Sequence, residues 1–102
     1  MPSAGTQQDS QVKDENIVEH PKLYRVLLHN DHYTTMEFVV HILQSVFNKS
    51  YDDAVAIMLK VHKEGIGIAG VYVRTVAEAK VKTVHKIARE NGFPLQCSIR
   101  PE

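Results

Sequence analysis

The chain alternates between two hydrophobic periods. "LYRVLLH" (23–29) is apolar and β-prone and predicts a strand. "TTMEFVVHILQSVFN" (34–48) then switches to helical spacing, with Val39, Ile42, Leu43 and Val46 on one face. Thr34 and Glu37 have capping-box spacing, Thr34 as N-cap and Glu37 at N3. "SYDDAVAIMLKVHKEG" (50–65) predicts a second helix, capped by Ser50 with Asp53 and stopped by Gly65. "GIAGVYV" (67–73) predicts a second strand, in which Gly70 signals a bulge or a close backbone approach. "TVAEAKVKTVHKIARENG" (75–92) predicts a third helix, with a capping box at Thr75 and Glu78 and Gly92 past its end. "LQCSIR" (95–100) alternates, placing Leu95, Cys97 and Ile99 inward and Gln96, Ser98 and Arg100 outward.

The order β-α-α-β-α-β predicts an α+β sandwich, a three-stranded antiparallel sheet packed against three helices. Residues 1–20 are rich in Gln, Ser, Asp and Glu with few apolar side chains. Such a segment does not offset an ordering entropy of roughly 1–2 kcal/mol per residue, so a flexible N-terminal extension is expected there and a folded core over 21–102.

Composition narrows the function. Twelve basic and 12 acidic residues give zero formal charge, which argues against nonspecific nucleic-acid binding. The balance is uneven, because residues 1–20 hold four acids and one base. A single cysteine, Cys97, has no internal disulfide partner and fits a reducing compartment. "MPSAGTQQDSQ" lacks a basic region followed by an apolar one, so no secretory signal is read there, and no apolar run reaches the roughly 18 residues of a membrane span. The expected setting is the cytoplasm or an organelle of bacterial ancestry.

Six histidines raise the question of a metal, but His29 and His32 form only one close pair and no HExxH occurs, so no metal or other cofactor is expected. Catalysis lacks a nucleophile with an oriented base; Cys97 sits mid-strand, and "GIGIAG" lacks phosphate-loop spacing. The concentrated chemistry is "HNDHYTTME" (29–37), with two imidazoles, an amide, two carboxylates and three hydroxyls. Asn30 and Asp31 supply acceptors at the end of the first strand, and His62 supplies another at the end of the second helix. Met36, Val39, Met58 and Val61 project near the same helix ends, and Met58 and His62 share a face at i,i+4. Convergent polar groups over an apolar lining suit a small-ligand pocket. The same residues also suit a turn, core gap-filling and a cationic helix C-terminus, and pattern alone leaves these open.

"LYRVLLHNDHYTTMEFVVHILQ", "AIMLKVHKEG", "AEAKV" and "ARENGFPLQCSI" together resemble the ClpS family, adaptors of the Clp protease, from about Leu23 to Ile99. The resemblance implies a non-enzymatic adaptor. It would bind substrates with a free N-terminal Leu, Phe, Tyr or Trp and deliver them to the N-terminal domain of a ClpA- or ClpC-type AAA+ unfoldase, which feeds ClpP. Carried over by position, Asn30 and His62 contact the substrate α-amine. Asp31 orients the loop and adds negative charge, with His32 beside it. Thr34 lines the entrance, and Met36, Val39, Met58, Val61 and Leu95 wall the side-chain pocket, with Met36 set against β-branched residues. Thr75, Glu78 and Lys80 would face the unfoldase. The N-terminal extension would serve delivery and not binding. A monomer is expected.

The chain departs from the family pattern at three of these positions. His32 stands where members often carry a second acid, so weaker or narrower amine binding is expected, worsening as pH falls and His32 or His62 gains a proton. Thr35 stands where proline is frequent at the first helical position. Thr75 stands where an acid is frequent. Two other readings stay open. One is a general interaction module resembling a ribosomal stalk C-terminal domain, without an amine pocket. The other is a metal or catalytic site built on His29, His32, His62 or Cys97.

Overall fold

A computed structural model describes residues 20–102. The extension expected over residues 1–20 lies outside the described residues except for His20. The elements are β1 (Leu23–His29), α1 (Met36–Ser45), α2 (Tyr51–Glu64), β2 (Ile66–Val73), α3 (Arg74–Glu90) and β3 (Gln96–Pro101). All six expected elements form, in the expected order. The sheet is antiparallel with strand order β2-β1-β3.

The central position of β1 explains its sequence. Val26, Leu27 and Leu28 are all buried at the middle of the one strand that has a neighbour on each side, while Leu23 and Arg25 at its start are exposed. Val26 and Leu28 face the helices and pack with Ile42, Leu43, Val84 and Leu95 in the core. The ladder between β1 and β2 slips between Val26 and Leu27, whose partners are Gly70 and Ile68, so Ala69 is the bulged residue. Gly70 meets both expectations for it. It adjoins the bulge, and a Cβ there would collide with the ring and hydroxyl of Tyr72, which lie across it.

Two capping assignments are corrected. The N-cap of α1 is Thr35, whose hydroxyl accepts from the Phe38 N–H at 3.1 Å. Thr34 is not available for that role, because Asp31 takes both its N–H and its hydroxyl. Glu37 is consequently the second residue of the helix and cannot close a box, and Thr35 precedes the first helical position instead of filling it. The box at Thr75 and Glu78 is also absent. Strand β2 runs directly into α3, Val73 is the N-cap without a side-chain bond, and Glu78 pairs instead with Arg74 at 3.0 Å. The caps of α2 form as expected: Ser50 accepts from Asp53 N–H at 3.1 Å, and Gly65 ends the helix in the left-handed region at φ 88°.

Strand β3 keeps the expected alternation at its start, with Leu95 and Cys97 buried and Gln96 exposed, while Ser98 and Ile99 are half-buried. No helix among the described residues is long and apolar enough to cross a membrane.

Candidate functional site

The strand-to-helix loop after β1 and the C-terminal end of α2 meet because the Asn30 N–H donates to the Gly65 carbonyl at 3.0 Å. This bond ties the last turn of α2 to the end of the central strand. It places Asn30 and His62 on one cavity of about 460 Å³ although 32 positions separate them. Asp31, His32, Thr34, Met36, Val39, Met58 and Val61 line the same cavity. Tyr33, Thr35 and Glu37 line it too, and the sequence did not single these out as lining residues.

Leu95 is not among the lining residues. It is 1% exposed and belongs to the core. It packs in the core cluster one residue before β3.

Asp31 builds the loop. One carboxylate oxygen accepts from the N–H groups of Tyr33 at 2.8 Å and Thr34 at 2.7 Å, and the other accepts from the Thr34 hydroxyl at 2.7 Å. Partial burial pushes its pKa up. The bonds from Thr34 and Tyr33 and the nearby His32 outweigh that, so the carboxyl sits below its ordinary value. The group is therefore a fixed anion in the cavity wall at neutral pH. With three of about four acceptor positions in use, it has little capacity left for direct bonding to a ligand.

Asn30 and His62 are the complementary case. Both are exposed, and neither side chain has a hydrogen-bond partner among the described residues. Their polar atoms are available to something entering the cavity. Beneath them lie the buried side chains of Val39, Met58 and Val61, while Met36 is 42% exposed at the mouth. The N-terminus of α1 also faces the cavity and brings partial positive charge, which opposes a cation. Asp31 and Glu37 counter it, and among the described residues no lysine or arginine lines the cavity. The site thus combines an anionic rim, two free polar side chains and an apolar floor.

The three residues expected to face an unfoldase are placed differently. Thr75 and Lys80 border a groove of about 530 Å³ between the end of α1 and α3. The Lys80 ammonium donates to the Val46 carbonyl at 2.7 Å and lies 5.5 Å from the centre of the Tyr72 ring. It thereby satisfies a carbonyl at the end of α1. Glu78 lines a neighbouring depression with Val81, Lys82 and Ile99.

The other candidate chemistry is dispersed. Among the described residues no three His, Cys, Asp or Glu side chains gather to hold a metal. His29 Nε2 bonds the Ser98 hydroxyl at 2.7 Å, and His85 Nε2 accepts from the Cys97 N–H at 3.0 Å. Burial pushes the Cys97 thiol up to about 12, which keeps it a thiol at neutral pH.

Comparison with known proteins sets this site in a family. The sequence model of the ClpS family, described as ATP-dependent Clp protease adaptor protein ClpS, matches residues 19–98. The ATP-dependent Clp protease adapter protein ClpS of Desulfatibacillum aliphaticivorans is 61% identical over 84 residues, covering 82% of this chain and 81% of that one. The protein of the same name from Myxococcus xanthus is 58% identical over 85 residues, covering 83% and 79%. Among solved structures, Agrobacterium tumefaciens ClpS2 bound to L-phenylalaninamide superposes with a TM-score of 0.78 at 41% identity. That alignment covers 81% of this chain and 100% of the other. The chain belongs to the ClpS family of adaptor proteins of the ATP-dependent Clp protease.

Proposed function

We propose that the protein recognises substrates by a free N-terminal residue with a bulky hydrophobic side chain (Leu, Phe, Tyr or Trp) and passes them to a ClpA/ClpC-type AAA+ unfoldase for degradation by ClpP. It acts by binding and not by catalysis, as a monomer in the cytoplasm. One observation carries the reading: Asn30 and His62, both without partners among the described residues, border the same cavity over Val39, Met58 and Val61.

A terminal ammonium brings three donors and a positive charge, so it needs acceptors from more than one side. The Asn30 carbonyl oxygen and a neutral His62 nitrogen supply them, and Asp31 supplies the field. Each charge-assisted hydrogen bond is worth about 1.5–3 kcal/mol, and burying a Leu or Phe side chain about as much. Less the cost of association, a few such terms reach about −8 kcal/mol, a micromolar affinity. The relative bound to L-phenylalaninamide supports this ligand class, since that molecule is one aromatic residue with a free amine.

The unfoldase would dock on the surface bearing Thr75, Glu78 and Lys80, and residues 1–20 would serve delivery. Removing those residues is expected to spare peptide affinity and impair degradation. The central test compares a Phe-initiated peptide with its N-acetylated and Ala-initiated forms, each with and without chelator, by calorimetry. Loss of binding on both changes, with indifference to chelator, supports the proposal. Equal binding of the acetylated form refutes it, and sensitivity to chelator favours a metal site.

A further inference from the structure

A second cavity of about 430 Å³ lies between the outer faces of α1 and α2. Met36 and Met58 wall both it and the first cavity, and Val40 and Val55 complete its apolar lining. Glu37 borders both cavities, and Tyr51, 63% exposed, stands on the rim of the second. No lysine or arginine lines it.

From this juxtaposition we infer that the second cavity is a subsite for the third residue of the substrate and takes an apolar side chain there. The inference rests on the amine-binding reading above. With the first side chain in the first cavity, an extended peptide turns its second side chain to the opposite face and its third back to the same face. The third returns about 6.6 Å further on. Met36, Glu37 and Met58 line both cavities, so the two adjoin and a side chain returning to the same face meets the second. An acidic third residue would face Glu37 with no lysine or arginine among the described residues of the lining and His41 as its one imidazole, so acids are disfavoured.

The test measures binding of the full chain to Phe-Gly-Leu, Phe-Gly-Gly, Phe-Leu-Gly and Phe-Gly-Asp peptides extended by the same polar tail, with L-phenylalaninamide as reference. Leucine at the third position should tighten binding about three- to tenfold over glycine, and aspartate there should weaken it. Val55→Asp and Tyr51→Ser should each reduce the leucine gain while leaving L-phenylalaninamide binding unchanged. Tyr51→Ser alters an exposed side chain, and the peptide series decides even if Val55→Asp fails to fold. An equal gain from leucine at the second position, or none at the third, overturns the subsite. Failure of L-phenylalaninamide itself to bind overturns the amine-binding reading, and the subsite with it.

Discussion

Replacing Asp31 separates the geometry of the loop from its charge. Asp31→Ala removes the acceptor for two N–H groups and one hydroxyl, all within 2.8 Å. Each bond is worth about 0.5–1.5 kcal/mol net, and water recovers part of that at a half-buried site, so the loop loses about 1–3 kcal/mol of order. A ligand that needs the ordered loop then binds about 5- to 150-fold more weakly. Asp31→Asn keeps a carbonyl oxygen for the two N–H groups, removes the charge, and puts an NH2 donor where the Thr34 hydroxyl now donates, so that hydroxyl must rotate to accept. A carboxylate about 5 Å from an ammonium and screened by water between them contributes about 1 kcal/mol, so this variant should lose about fivefold. The pKa of Asp31 is lowered from 3.8, so its contribution to stability is present above the unfolded value and lost as pH falls through the folded one. Asp31 therefore adds no pH dependence near neutrality. Calorimetry with L-phenylalaninamide on the native protein and both variants provides the measurement. Affinities within about twofold of native for Asp31→Ala, or equal losses in the two variants, would refute the division between geometry and charge.

Four further outcomes are expected. His62→Ala should weaken binding of L-phenylalaninamide about tenfold or more through loss of one acceptor for the ammonium, as read by calorimetry; unchanged affinity would remove His62 from the site. Gly67→Ala places a Cβ 2.7 Å from Val61 Cγ2, forcing α2 away from the sheet. A destabilisation of about 1–3 kcal/mol by urea denaturation should follow, with weaker ligand binding because Val61 lines the cavity. Thr35→Ala should lower stability by about 0.5–2 kcal/mol through loss of the N-cap, whereas Thr34→Ala should act mainly on ligand binding; the reverse order in thermal melts would restore the original capping assignment. Cys97, with its thiol raised to about 12, should resist alkylation at pH 8 in the native protein and react in denaturant, as followed by mass spectrometry.

The elements were legible because each carries a single dominant period. Eleven of the twelve boundaries fall within two residues of the sequence expectation. The end of α1 is the exception, at Ser45 where the pattern ran on to Asn48, a residue with φ 56° that turns the chain toward α2. Caps were less legible, because they depend on competition between neighbouring polar groups. The sequence offers Thr34 and Thr35 equally. Only the capture of Thr34 by Asp31 leaves Thr35 as the N-cap. At α3 the sequence shows a box, but a strand that continues into a helix without a loop leaves no residue in the position the box requires. Leu95 shows two readings in conflict. The alternation of β3 pointed it inward, the resemblance pointed it to the pocket, and the structure buries it in the core.

The polar stretch 29–37 contains two populations that composition cannot tell apart. Asp31, Thr34 and Thr35 spend their hydrogen bonds on each other and on nearby backbone. Asn30 contributes its backbone N–H, to Gly65, and its side chain has no partner among the described residues. The first group fixes the loop so that the second need not be ordered when a ligand arrives, which reduces the entropy lost on binding. That partition also explains why the site needs α2. A lone strand-to-helix loop presents acceptors from one side, whereas an ammonium requires them from at least two. In the proposed mode of binding, the bond from Asn30 to the C-cap of α2 would bring His62 in as the second side. Any change that loosens this bond should weaken amine binding while both polar side chains remain present.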